Sequence, residues 1–110
     1  MERRHARIAE NEIRFRDINE RLRDGIADLT ADDERVDFVC ECGAASCADA
    51  VPMTVAEYEA VRRDARHFAV LAGHEAPEVE RVVQRADRYV VVEKFGPSQD
   101  LARVSDPRGS

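Results

Sequence analysis

Val36-Asp37-Phe38-Val39-Cys40-Glu41-Cys42-Gly43-Ala44-Ala45-Ser46-Cys47-Ala48-Asp49-Ala50-Val51-Pro52-Met53 decides how this chain folds, for it holds every cysteine of the sequence. Residues 36–40 alternate apolar and polar side chains, the signature of a half-buried strand, and deliver Cys40 and Cys42 to its far end. Residues 48–53 read as a short return strand, with Pro52 confining it to an edge or a brief pairing. The cysteines then occupy the tip of a hairpin. Cysteine is ordinarily buried and scattered rather than grouped in a polar loop. Three thiols within eight residues therefore call for a chemical reason.

Tetrahedral zinc supplies one. Its structural sites take four soft or borderline ligands, most often thiolate and imidazole. The C-x-C-x4-C spacing wraps three corners: Cys40 and Cys42 come from one bend, Gly43 lets the backbone turn, and Cys47 closes the loop. The fourth corner comes from elsewhere. His5, His67 and His74 are the only histidines, and His74, beside Gly73 on an expected loop, is the best placed. His67 at the foot of an expected strand, Asp49, another carboxylate or water are the alternatives. The spacing fits no iron–sulfur motif.

The same ligands admit three functions. In the first, zinc is structural and the folded surface works by contact with a protein. In the second, clustered thiolates are oxidised and release the metal, making a redox or zinc sensor. In the third, water replaces His74 and the zinc hydrolyses a substrate, with Glu41 or Glu75 as base. Neither carboxylate has a positioned partner legible in the sequence, so the structural reading leads and no enzyme is expected.

Composition narrows the setting. At 110 residues the chain is one domain. Sixteen alanines and no tryptophan leave a thin core of Val, Ile, Leu, Phe and Tyr, which small domains often reinforce with a metal or a second chain. A net charge of −6 opposes nucleic acid as the main partner. Arg62, Arg63 and Arg66 gather on the second helix, but Glu57, Glu59 and Asp64 offset them. No run approaches the ~20 apolar residues of a membrane span. MERRHARIAENE lacks the apolar stretch of a secretory signal. An odd number of clustered cysteines without such a signal points to the cytoplasm. Sixteen arginines against the single Lys94 suggest a GC-rich bacterial coding bias.

Outside the hairpin, residues 4–30 read as one long helix. Ile8, Phe15, Leu22 and Leu29 recur every seven residues, and Ile18 and Ile26 widen the stripe. That stripe packs on the body or on a second copy of itself, since Asn11 near an apolar seam is a coiled-coil habit. Gly25 marks a bend or an early end. Thr54-Val55-Ala56-Glu57 is a capping box opening a helix to about residue 65. Residues 68–71 return to strand, Gly73 turns the chain, and Val90, Val91 and Val92 favour strand. Residues 78–85 read as a strand joined to them through a turn at 86–88, though Pro77 could also open a helix. SQDLARVSDPRGS lacks periodicity and reads as a loose tail.

Two resemblances bear on this. CECGAASC looks like the post-SET zinc motif of histone lysine methyltransferases, where three such cysteines bind zinc with a distant fourth ligand; the likeness covers residues 40–47 alone. More widely, NEIRFRDINERL, FVCECGAASC, YEAVR, FAVLAGHE and VVVEK resemble a family of small uncharacterised actinobacterial proteins carrying N-E-x-x-F-R-x-x-N-E-R, C-E-C-G-x-x-x-C and G-H-E. The likeness spans residues 11–94 and implies that Cys40, Cys42, Cys47 and His74 form a set. Ala72 stands where that pattern has proline, which loosens the loop without removing a ligand.

The expectation is thus an α+β fold stapled by zinc. An N-terminal helix over 1–35 packs or dimerises, an α+β body over 36–95 holds one small antiparallel sheet and one further helix, and a flexible tail covers 96–110.

Overall fold

The computed structural model describes residues 1–109. The alternating run forms β1 (Val36–Val39), which pairs antiparallel with β2 (Ala50–Met53) in the register Val36↔Met53 to Val39↔Ala50. The cysteine loop is the tip of this hairpin. Pro52 is tolerated because these two strands form a sheet of their own, each with one unpaired edge. A second, three-stranded sheet has the order β3-β5-β4, all antiparallel, from β3 (His67–Val70), β4 (Glu80–Arg85) and β5 (Val90–Lys94). A register shift between Val82 and Gln84 leaves Val83 unpaired on the outer strand. The architecture is α+β, with two small sheets where one was expected. The two sheets approach each other at residue 41, where the Glu41 amide donates to the Ala69 carbonyl at 2.9 Å, and at the β4–β5 turn, where Arg88 Nε donates to the Pro52 carbonyl at 3.1 Å.

Helix α1 (Arg3–Ile26) ends one residue after Gly25. Its buried face runs through Ile8, Glu12, Phe15, Arg16 and Asn19, spaced three and four residues apart as a single helix face requires. Leu22 and Ile26 pack against the core at its outer end. The stripe that would seat a second helix is therefore turned into the chain's own body. Two expected members leave it: Ile18 is 41% exposed and Leu29, beyond the helix, 81%.

Three of these five residues on the buried face of α1 are polar and hydrogen-bonded, although Glu12 Oε2 and Arg16 Nε are buried without a partner. Arg16 donates to the carbonyls of Ala65 (2.8 Å) and Ala102 (3.0 Å) while its guanidinium lies 4.8 Å over the Phe68 ring. Glu12 meets Lys94 Nζ at 2.5 Å, and Lys94 meets Glu80 at 3.2 Å, all three fully buried. Burial, with the Glu80 carboxylate beside it, pushes the Glu12 carboxyl well up.

Helix α2 (Val55–Val61) opens with the expected capping box: Glu57 N donates to Thr54 Oγ1 at 3.1 Å and Thr54 N to Glu57 Oε1 at 2.9 Å. It stops before residue 65 because the Asp64 carboxylate accepts from the Arg66 amide (2.9 Å), a local turn that competes with the helix. Tyr58 on its inner face stacks on Phe38 of β1, ring centroids 4.5 Å apart.

The loose tail is corrected at its centre. Pro97–Val104 is a helix, α3, begun by Gly96 in the left-handed region (φ 69°) and Pro97 in its first turn. Ala102 is buried in the core. After it, Asp106 pairs with Arg62, and Arg108 clasps Glu20 (2.7 Å) and Glu59 (2.6 Å). The segment lacks periodicity because those contacts, made by charged side chains to distant elements, hold it in place. Among the described residues no helix is long and apolar enough to cross a membrane.

Candidate metal centre

The ladder of β1 and β2 continues one step past the strands, through a bond from Cys40 N to the Asp49 carbonyl (2.9 Å). That step fixes where Cys40 points. Cys40 and Cys42 are 0% and 1% exposed, and a turn closed by Cys47 N on the Ala44 carbonyl (3.0 Å) brings back the half-buried Cys47. Gly43 serves this loop differently from the sequence expectation. It needs no left-handed backbone; a Cβ there would sit 2.6 Å from Ile8 Cγ2 of α1. Glycine is required by close approach, and the Gly43 carbonyl also accepts from Asn11 (2.9 Å).

From the other side comes the loop after β3. Gly73 takes φ 91°, the left-handed turn that favours glycine, and His74 N closes onto the Leu71 carbonyl at 3.0 Å. The His74 ring then lies against the thiols, its Nδ1 3.6 Å from Cys40 Sγ and 3.7 Å from Cys47 Sγ. The ligand atoms of Cys40, Cys42, Cys47 and His74 all lie within 4.8 Å of one another. Four donors so placed could hold a metal ion. His74 Nε2, on the far side of the ring, is 3.8 Å from the Asp49 carboxylate.

The thiols hold their protons unequally. The Cys40 thiol beside it, and the Ala44 amide, lower Cys42 to about 5 against the opposing effect of burial. The same pairing with Cys42 pushes Cys40 up, and burial raises Cys47. One corner thus favours thiolate, the form in which cysteine binds metal.

The remaining candidates fall elsewhere. His67 sits away from the thiols in a group with Asp64 and Glu93, its Nε2 3.0 Å from Glu93. That group already contains a cation, because Arg66 reaches Asp64 at 2.8 Å and Glu93 at 3.4 Å. Glu75 accepts from the Gly73 amide (2.7 Å) and so shapes the loop. Glu41 is fully buried with both oxygens engaged, one by Asn19 Nδ2 (2.9 Å) and one by the Ala69 amide (2.9 Å). Burial pushes its carboxyl up, against the Asn19 and Ala69 bonds.

Sequence reasoning missed this supporting frame. Asn19 gives its amide to the Val39 carbonyl (2.8 Å) and takes the Val39 amide (2.8 Å), capping the free edge of β1 as a further strand would. Leu71 N points at Cys40 Sγ at 3.3 Å. The available signal was the spacing N-E-x-x-F-R-x-x-N-E, whose polar members recur at helical period on one face. Comparison with family models, curated proteins and solved structures yields no match. The chemistry of the site is therefore argued from its geometry alone.

Proposed function

We propose that this is a small cytosolic zinc protein whose Cys40, Cys42, Cys47 and His74 hold a structural ion, and that it acts as a protein-interaction or regulatory module. The convergence of four ligand atoms from two separate segments carries the reading. Zn–S bonds of about 2.3 Å and Zn–N bonds of about 2.0–2.1 Å, set at tetrahedral angles, place a sulfur about 3.6 Å from a nitrogen. The two sulfur-to-Nδ1 distances are 3.6 and 3.7 Å. Three thiolates and an imidazole suit zinc above hard cations, which prefer oxygen. Four protein donors also fill the tetrahedron, the pattern of a structural rather than a catalytic ion.

On this reading the metal ties the hairpin tip of the small sheet to the loop leaving β3 of the larger one. Reduced thiols in a zinc site suit the cytosol. The pattern N-E-x-x-F-R-x-x-N-E has a physical basis in this chain, since Asn11, Glu12, Phe15, Arg16, Asn19 and Glu20 hold α1 in place. With the apolar stripe of α1 spent inward, the surface offers a partner mostly charge. Native mass spectrometry of the purified chain is expected to show a single zinc ion bound, and His74→Ala to weaken its retention against a competing chelator. A metal-free chain, or unchanged retention in the variant, contradicts the four-ligand site.

A further inference from the structure

Away from the metal centre, the turn between α2 and β3 faces the outer end of α3 across an open groove of ≈ 660 Å³. That lies within the range of ligand clefts, about 300–1,000 Å³. Arg63, Asp64 and Arg66 line one wall, Arg103 and Val104 the other. Asp64 is already matched: Arg66 meets it at 3.1 and 2.8 Å and holds its carboxyl down at about 2. Arg63 is exposed, and among the described residues no carboxylate lies within ion-pair distance of it. Arg103 has Asp100 at 3.5 Å, a pair more than half exposed on both sides, and such pairs contribute little.

Beneath the groove lies Arg16, fully buried, tying one wall at the Ala65 carbonyl to the other at the Ala102 carbonyl. It braces the two walls and adds positive charge below them. The groove is thus locally positive on a chain of net charge −6. Val104, 85% exposed on its rim, offers an apolar contact beside the arginines.

We propose that this groove receives an acidic segment of a partner protein, its carboxylates on Arg63 and Arg103 and an apolar side chain against Val104. The proposal rests on the reading of the protein as an interaction module and names the chemistry of the partner. Nucleic acid fits less well. Its bases stack on aromatic side chains, and the groove lining has none.

The test is fluorescence anisotropy with the full chain as purified and a fluorescein-labelled peptide of glutamates flanking a leucine. Saturable binding is expected, weakening as salt screens the charges. The double variant Arg63→Glu/Arg103→Glu is expected to lose at least about tenfold in affinity, and Val104→Asp to weaken binding too. Lack of saturation, an unchanged affinity in the double variant, or tighter binding of a single-stranded RNA oligonucleotide overturns the proposal. All three positions are exposed, so the variants keep the fold, which circular dichroism verifies. Zinc content is measured on the same samples, so failure of the metal site shows as missing metal and failure of the groove as missing peptide binding.

Discussion

Between the two thiols that share one bend, Glu41 carries a carboxylate sealed from water, with a donor for each oxygen. One donor belongs to α1 and the other to β3, so this side chain fixes the Cys40–Cys42 corner to both. Glu41→Ala leaves the Ala69 amide and one of the two Asn19 Nδ2 hydrogens buried without an acceptor, at a cost of roughly 1–3 kcal/mol for each. Denaturant unfolding of the metal-loaded chain is expected to show that loss, with Glu41→Gln milder because its amide oxygen still accepts. An Ala variant as stable as the parent would mean that the corner is held by the metal alone. The meeting of Cys40, Cys42, Cys47 and His74 was legible in the sequence because ligand chemistry is written in residue type. Glu41 and Asn19 were not, because a polar residue reads as solvated until its buried partner, a backbone edge far along the chain, is known. Gly43 was noticed for the wrong reason, since the clash it avoids involves Ile8 of another element.

At the scale of elements, the hairpin and the capping box were readable because their signals are local. The buried face of α1 was only half readable: its apolar members marked the side turned inward, while Glu12, Arg16 and Asn19 on that side looked like surface. Helix α3 was unreadable for the same reason, because its hold on the body runs through Asp106 and Arg108 to residues of α1 and α2. This hold is sensitive to acid. The Arg108 guanidinium, with Arg23, keeps the Glu59 carboxyl below its usual value. Glu20 is also held low, by Arg108 and Arg62, although burial opposes them. Carboxyls depressed in the folded state stabilise it above the unfolded value of about 4.3 and lose that contribution as pH falls through the folded value. Arg108→Ala is therefore expected to move the acid loosening of α3 to higher pH, as read by hydrogen exchange at its amides corrected for intrinsic rates. An unmoved pH dependence would show that Arg108 is not what anchors α3.

For the whole molecule, the two small sheets are joined by the Glu41 amide on the Ala69 carbonyl, by Arg88 Nε on the Pro52 carbonyl, by α1 across both, and by the approach of the cysteine loop to His74. The antiparallel α+β fold was legible, but the division of its strands into two sheets was not, because periodicity marks strands without saying which of them pair. A core this small leaves the bridging points decisive, and the proposed zinc site is the strongest of them. Structural zinc contributes on the order of 10 kcal/mol in small zinc peptides, comparable to the ~5–15 kcal/mol net stability of a domain. The most direct measurement is thermal unfolding by circular dichroism of the zinc-loaded chain, before and after a strong chelator and again after zinc is restored. Chelation is expected to unfold the chain or lower its midpoint by tens of degrees, reversibly on return of zinc. An unchanged midpoint after complete metal removal would contradict a structural role for the zinc.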